Sequence, residues 1–220
     1  MKECRSPLTD KLWPQCGHYV PAVLPWRQPG AGRAMKSEHL HETFDVPRSK
    51  QRFRELIIYI SAKSERDPHF GAIKLNKILY YSDFRAFERF GLPLTGMRYV
   101  KLKLGPAPKG LLPAQQELIE EGALRLDRVP RGPYEQDRTV ALRLPVMELF
   151  TSDEIALVDD VIKELWSQNA TEVSDASHDV RWAVMQLGDS MPYELAFLSN
   201  DLPTDSDRQR AEELATHLGR

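Results

Sequence analysis

The chain has 220 residues, 41% of them hydrophobic and 28% charged, with 30 Lys and Arg against 32 Asp and Glu. That length holds one domain of ordinary size plus a tail, and buries roughly 70% of its unfolded surface, enough for a core without disulfides or metal. The near-balance of charge excludes a broad cationic field for nucleic acid or anionic lipid, and no stretch approaches the roughly 18 apolar residues of a membrane span.

The first 34 residues differ from the rest. They hold both cysteines (Cys4, Cys16), two of the four tryptophans (Trp13, Trp26) and five prolines, with five bases against two acids. The remainder, from Met35, keeps 25 bases against 30 acids and has no cysteine. A disulfide framework is therefore excluded for it, and the cytoplasm is the expected compartment. Pro, Gln and Arg interrupt every short apolar run of the leader, so no secretory h-region is visible. Met35-Lys36-Ser37 suggests that translation starts at Met35 and that residues 1–34 are upstream sequence.

Residues 1–47 read as an irregular leader, because their prolines block helices and strands alike. A helix is predicted from Ser49 to Lys63, with Phe53, Leu56, Ile57 and Ile60 at helical spacing. A second runs from about Gly71 to Phe90, ended by Gly91. One stripe holds Leu75, Ile78, Leu79, Ser82 and Ala86, with Lys74, Lys77, Tyr81, Arg85 and Glu88 opposite. From Tyr99 the period becomes two: Val100, Leu102 and Leu104 face one way, Lys101 and Lys103 the other. Gly105-Pro106-Ala107-Pro108 is expected to stop this strand. A short helix is expected over 112–121, followed by strands over 123–129 (Leu124 and Leu126 inward) and 139–144 (Val140, Leu142 and Leu144 inward). Thr151 with Glu154 forms a capping box, opening a helix with Ile155, Val158, Ile162, Leu165 and Trp166 on one face. A further helix is expected to carry Ser174, His178 and Trp182, broken at Gly188, and the tail 201–220 reads as polar and helical.

No catalytic constellation assembles. The cysteine-free body has no Gly-x-Ser-x-Gly elbow, Walker A loop, dinucleotide fingerprint or His-Glu-x-x-His, so a non-enzymatic binding module without cofactor or metal is expected. Cys4, Cys16 and His18 do not have the spacing of a zinc finger. His178 reads as a core histidine donating to a backbone carbonyl, with a partner contact as the alternative. Asp83, among apolar neighbours, is either an interface charge or an acceptor that pins Gly105-Pro106. Lys101, Lys103 and Lys109 form either a solvated sheet face or a docking ridge for an acidic partner.

Lys74-Leu75-Asn76-Lys77-Ile78-Leu79-Tyr80-Tyr81-Ser82-Asp83-Phe84, Leu92-Pro93-Leu94-Thr95-Gly96 and Tyr99-Val100-Lys101-Leu102 resemble the Panacea domain, as does Leu104-Gly105-Pro106-Ala107-Pro108. This is the SocA-like antitoxin domain, also met in phage-associated GepA-type proteins. Ser177-His178, Trp182 and Met191-Pro192-Tyr193-Glu194 resemble that family's closing motif, in which Ile usually precedes the proline. The resemblance covers about residues 48–200. It implies an α+β, predominantly helical fold, with helices packed around a small three-stranded antiparallel sheet. It implies a type II antitoxin that neutralises a cognate protein toxin, encoded by the adjacent gene, by direct binding; SocA itself presents its toxin to the ClpXP protease. No catalytic residues carry over. The motif positions are Lys77, Tyr80, Asp83, Gly105, Pro106, His178, Trp182, Pro192, Tyr193 and Glu194.

A winged-helix transcription regulator is the alternative. Helix 112–121 and strands 123–129 and 139–144 imitate a helix and its wing, with Arg125, Arg128, Arg131, Arg138 and Arg143 toward phosphates. Against it, Glu117, Glu120 and Glu121 lie where base-reading side chains belong, and the duplex backbone would repel them.

Overall fold

The structure is a computed structural model, which describes residues 46–47, 49–131, 134–199 and 204–217. Cys4, Cys16, His18, Met35 and nearly all of the leader lie outside the described residues.

Helix α1 (Ser49–Lys63) follows its predicted bounds. It buries Phe53, Leu56, Ile57 and Ile60. Helix α2 (Ala72–Phe90) ends at Gly91, whose φ of 76° takes the left-handed conformation and whose N–H bonds to the Phe87 carbonyl. Twelve of its nineteen residues are buried. A helix enclosed on most sides sits at the centre of a core rather than on its surface. Lys74, Lys77 and Tyr81, expected opposite the core, are therefore inside it. The apolar stripe was legible, but the neighbours that cover the other side were not.

Strand β1 (Tyr99–Leu102) turns through Lys103 and Leu104 into β2 (Gly105–Pro108), which pairs with it antiparallel. Gly105-Pro106-Ala107-Pro108 is thus a strand, not a stop. Its prolines are tolerated because β2 is an edge strand. Gly105, with φ of 89°, follows the two-residue turn as the glycine of a G1 bulge does. The two-residue strand β5 (Ser190–Met191) pairs with β1 on its other side, giving the order β2-β1-β5. The alternation runs opposite to expectation. Tyr99 and Lys101 face inward, whereas Leu102 (47% exposed) and Leu104 (55% exposed) face solvent. The hydrophobicity of the side chains misled here, because the inward lysine is paid for by partners that only the tertiary fold supplies.

Helix α3 (Leu111–Glu120) leads into β3 (Leu124–Arg131) and β4 (Tyr134–Ala141), a separate two-stranded ribbon. The predicted strands from 99, 123 and 139 do not share one sheet. Leu124, Thr139 and Ala141 face the core, while Leu126, Leu142 and Leu144 are exposed. Ser61 Oγ donates to Thr139 Oγ1 at 2.9 Å, which explains why the hydroxyl takes the inward place.

Helix α4 (Ser152–Leu165) opens with the predicted capping box: Glu154 N–H donates to Thr151 Oγ1 and Thr151 N–H to the Glu154 carboxylate. Val158, Ile162 and Leu165 pack inward, Ile155 is half-buried, and Trp166 lies on the exposed margin. The expected helix through Ser174, His178 and Trp182 is two short ones, α5 (Ala170–Ala176) and α6 (Val180–Ala183). Asp179 interrupts it, its carboxylate accepting from the N–H groups of Arg181 and Trp182 to start α6 afresh. Helix α7 (Asp205–His217) is polar and buries no residue.

Candidate functional site

The sequence motifs around 74–84, 92–108 and 177–194 meet on the inner face of the three-stranded sheet. Helix α2 supplies the floor. At the tip of the hairpin, Lys77 Nζ donates to the Pro106 carbonyl at 2.8 Å. Strand β2 has no strand neighbour on that side, so the lysine nitrogen takes the place of a missing backbone donor. Lys77 is 1% exposed, and burial alone brings its pKa down to about 7. Ser174 Oγ donates to the Leu104 carbonyl at 3.2 Å, and Ser177 Oγ to the Ser174 carbonyl at 2.7 Å. The chain comes so close here that a Cβ on Gly105 would lie 2.1 Å from Ser177 Oγ and 2.5 Å from Lys77 Nζ.

Lys101, on β1, is the second lysine buried against the hairpin. Its Nζ donates to the Met185 carbonyl at 2.7 Å and sits 3.6 Å from the centroid of the Trp182 ring. His178 stacks on the same indole at 4.1 Å with a 29° interplanar angle. Trp182 thus contacts both the Lys101 side-chain nitrogen and the His178 imidazole. Its Nε1 donates to the Leu102 carbonyl at 3.1 Å. His178 does not donate to a core carbonyl as expected: its Nε2 is buried without a hydrogen-bond partner. Stacking, not hydrogen bonding, holds it.

The base of the hairpin is fixed by Asp83. Its carboxylate accepts from Thr95 N–H at 2.7 Å, from Thr95 Oγ1, and from Tyr99 Oη at 2.8 Å. Burial pushes its pKa up to about 6 against the pull of these donors. Asp83 therefore pins the 92–96 turn and Tyr99, not Gly105-Pro106, and it does not lie at a surface. Tyr193 Oη donates to the Met97 carbonyl at 2.7 Å, with its ring against Phe84, Phe87 and Tyr99. Tyr80 packs between the two regions, its ring centroid 5.7 Å from that of Tyr99 and 4.5 Å from that of Phe84. Burial, with the nearby Asp179 carboxylate, raises its hydroxyl pKa. Pro192 caps the short turn that carries Tyr193, and Glu194 is exposed on it.

The proposed lysine ridge does not exist as drawn. Lys101 points inward, whereas Lys103 in the turn and Lys109 after β2 are exposed. The sequence reading missed Arg98, which the period of two places on the same outer side as Val100 and Leu102. It also missed Ser174 and Ser177 as supports, and Lys74, whose Nζ bonds to the Asp67 carboxylate at 2.6 Å and to the Trp166 carbonyl at 3.0 Å. The first contact ties α2 to the segment before it, and the second joins the floor of the site to the end of α4. A separate cleft of about 500 Å³ lies where α2 and α5 begin beside β4. Its lining includes His69, Ile73, Glu135 and Asn169, with Lys74 at its edge with the site.

The ribbon arginines are committed elsewhere. Arg125 pairs with Asp127 and Arg128 with Asp137. Arg138 donates to the carbonyls of Ser64, Glu65 and Asp67, and Arg143 pairs with Glu55. The side chain of Arg131 lies outside the described residues. Glu117 of α3 and Glu121 just after it pair with Lys50 and Arg54 of the body. These pairings do not present a phosphate-facing set. Among the described residues no group of His, Cys, Asp and Glu could hold a metal ion, and no helix is long and apolar enough to cross a membrane.

No curated protein and no solved structure matches this chain significantly. Residues 75–183 match the sequence model of a family described as antitoxin SocA-like, Panacea domain. The match is narrower than the 48–200 expected. It contains Lys77, Asp83, the whole β1–β2 hairpin, His178 and Trp182, and stops before Pro192, Tyr193 and Glu194. The part of the chain that builds the clasped hairpin thus belongs to the SocA-like Panacea antitoxin family.

Proposed function

We propose that this protein is the antitoxin of a type II toxin–antitoxin system, which neutralises a cognate protein toxin by covering part of its surface. The family match over 75–183 carries the reading. The hairpin supports it: a rigid, polar-clasped strand pair with an open outer side suits recognition by shape, and stoichiometric inhibition needs a complementary surface instead of a reactive group. The toxin is the product of the adjacent gene, the setting is phage- or prophage-associated bacterial DNA, and the complex forms in the cytoplasm. The chain acts as a binding protein and not as an enzyme.

Expression of the adjacent gene alone should arrest growth, and co-expression with this chain should restore it with recovery of a stable complex. Normal growth with the neighbour alone, or rescue without complex formation, would refute direct neutralisation. An adaptor role toward ClpXP predicts a toxin half-life that shortens when this chain is present and lengthens again when the protease is deleted. Equal half-lives would reject that role while leaving inhibition by binding in place.

A further inference from the structure

The three-stranded sheet is closed on one side by α2 and the α5–α6 segment. Its other side is open. The period of two puts Arg98, Val100 and Leu102 on this outer side of β1, with Ala107 and Lys109 opposite them across the ladder. Exposure agrees: Arg98, Leu102 and Lys109 are exposed, and Val100 and Ala107 half-buried. Lys103 stands in the turn at one end. The face therefore has a small apolar centre with cations at both ends, and its three charged groups have the same sign.

None of these three cations has an ion pair or a side-chain hydrogen bond among the described residues. Many of the body's other basic groups are used internally, as with Arg52, Arg54, Lys74, Arg85, Arg138 and Arg143, whereas exposed Arg66 and Lys163 stand singly away from this sheet. The body as a whole is acidic, so unpaired positive charge concentrated on one sheet face is not a consequence of composition. Two copies of such a face would repel each other. A nucleic acid would call for many more cations and no apolar centre. A protein surface with carboxylates around an apolar patch satisfies both parts of the face.

We propose that this outer sheet face is where the chain docks an acidic surface of its protein partner. The proposal rests on the toxin-binding reading above and adds to it the face and the chemistry of the contact. Strand spacing makes the sheet only about 10 Å wide, so it forms the centre of an interface of roughly 800 Å² a side.

The test uses the full chain and the purified product of the adjacent gene. The triple variant Arg98→Glu, Lys103→Glu, Lys109→Glu should keep the circular dichroism and melting of the native chain, because all three groups are exposed. Its Kd should rise at least tenfold, mostly through slower association, and the loss should shrink as salt is raised. A control triple, Arg66→Glu, Arg128→Glu, Lys163→Glu, makes the same change of charge off this sheet and should bind as the native chain does. Native binding that survives the first triple, or falls equally in the control, overturns the assignment of this face while the antitoxin reading stands. A native chain that does not bind the product at all removes the antitoxin reading itself. Self-association or duplex DNA binding that the first triple abolishes, with toxin binding intact, would also overturn the proposal.

Discussion

Lys77 makes the stability of this domain depend on pH in a window where few other groups respond. Its folded pKa lies near 7, while the unfolded side chain titrates at 10.5. Between these values the unfolded chain holds a proton that the folded chain has released, so stability rises with pH. The slope reaches about 1.4 kcal/mol per pH unit, and integration from about pH 7.5 to 9.5 gives a gain of about 2 kcal/mol. The window closes near pH 10, where the buried tyrosines enter with the opposite sign. Tyr59, Tyr80, Tyr99 and Tyr193 have folded pKa values raised by burial, so their contribution falls once unfolded tyrosine starts to ionise. Lys77→Met removes the titrating group. It also leaves the Pro106 carbonyl without its donor, at a cost of roughly 1–3 kcal/mol that does not vary with pH. Urea unfolding of both chains across the window separates the two effects, since the first changes the slope and the second only the offset. Parallel pH profiles for native and variant chains would mean that Lys77 keeps its proton when folded, and the account of a neutral amine bonded to Pro106 would be wrong.

Gly105→Ala should cost about 2–5 kcal/mol, from the positive φ and from contact with Ser177 and Lys77 together; a urea midpoint within error of native would show that the close approach is relaxed in solution. Leu79→Ala, at a side chain with no exposure, should cost about 2–5 kcal/mol by cavity formation, and calorimetry would contradict the core assignment if the melting temperature hardly moved. Asp83 acts at acid pH with the sign of a raised carboxyl. Its contribution is present below pH 3.8 and is lost as pH rises through about 6. From about pH 4 to 6 the native chain should lose about 2 kcal/mol relative to Asp83→Asn, and matching profiles would place the carboxyl pKa at its ordinary value.

The helices were legible because their signals are local. Apolar spacing defined α1 and α2, Gly91 ended α2, and Thr151 with Glu154 announced α4 through a reciprocal pair of hydrogen bonds within four residues. The hairpin was not legible, because its facing depends on groups far away in sequence. Lys101 lies inward only because the Met185 carbonyl and the Trp182 ring, more than eighty residues on, are there to receive it. By hydrophobicity alone, Leu102 and Leu104 are the better candidates for burial, and the alternation was assigned the wrong way round. The same limit applies to Thr139, drawn inward by Ser61. At the site, Asp83 was recognisable as a buried acceptor, yet which segment it held could not be read from one chain position.

The three buried lysines share one task. Lys74 reaches the Trp166 carbonyl just past the end of α4, Lys77 the Pro106 carbonyl on the unpaired side of β2, and Lys101 the Met185 carbonyl just past the end of α6. Each supplies an N–H where the backbone has none to offer, so each turns an orphaned carbonyl into a fixed point. Apolar residues could fill the same volume without the cost of burying an amine. They could not choose a register. A slip of β1 by one residue would send Lys101 to solvent and bring Arg98, Val100 and Leu102 inward, since side chains alternate with a period of two. The carbonyl contact of Lys101 and the bond from Trp182 to Leu102 are both lost in that slipped state. The clasp on the inner face therefore determines the composition of the outer one, and the surface offered to a partner is set by groups the partner never touches.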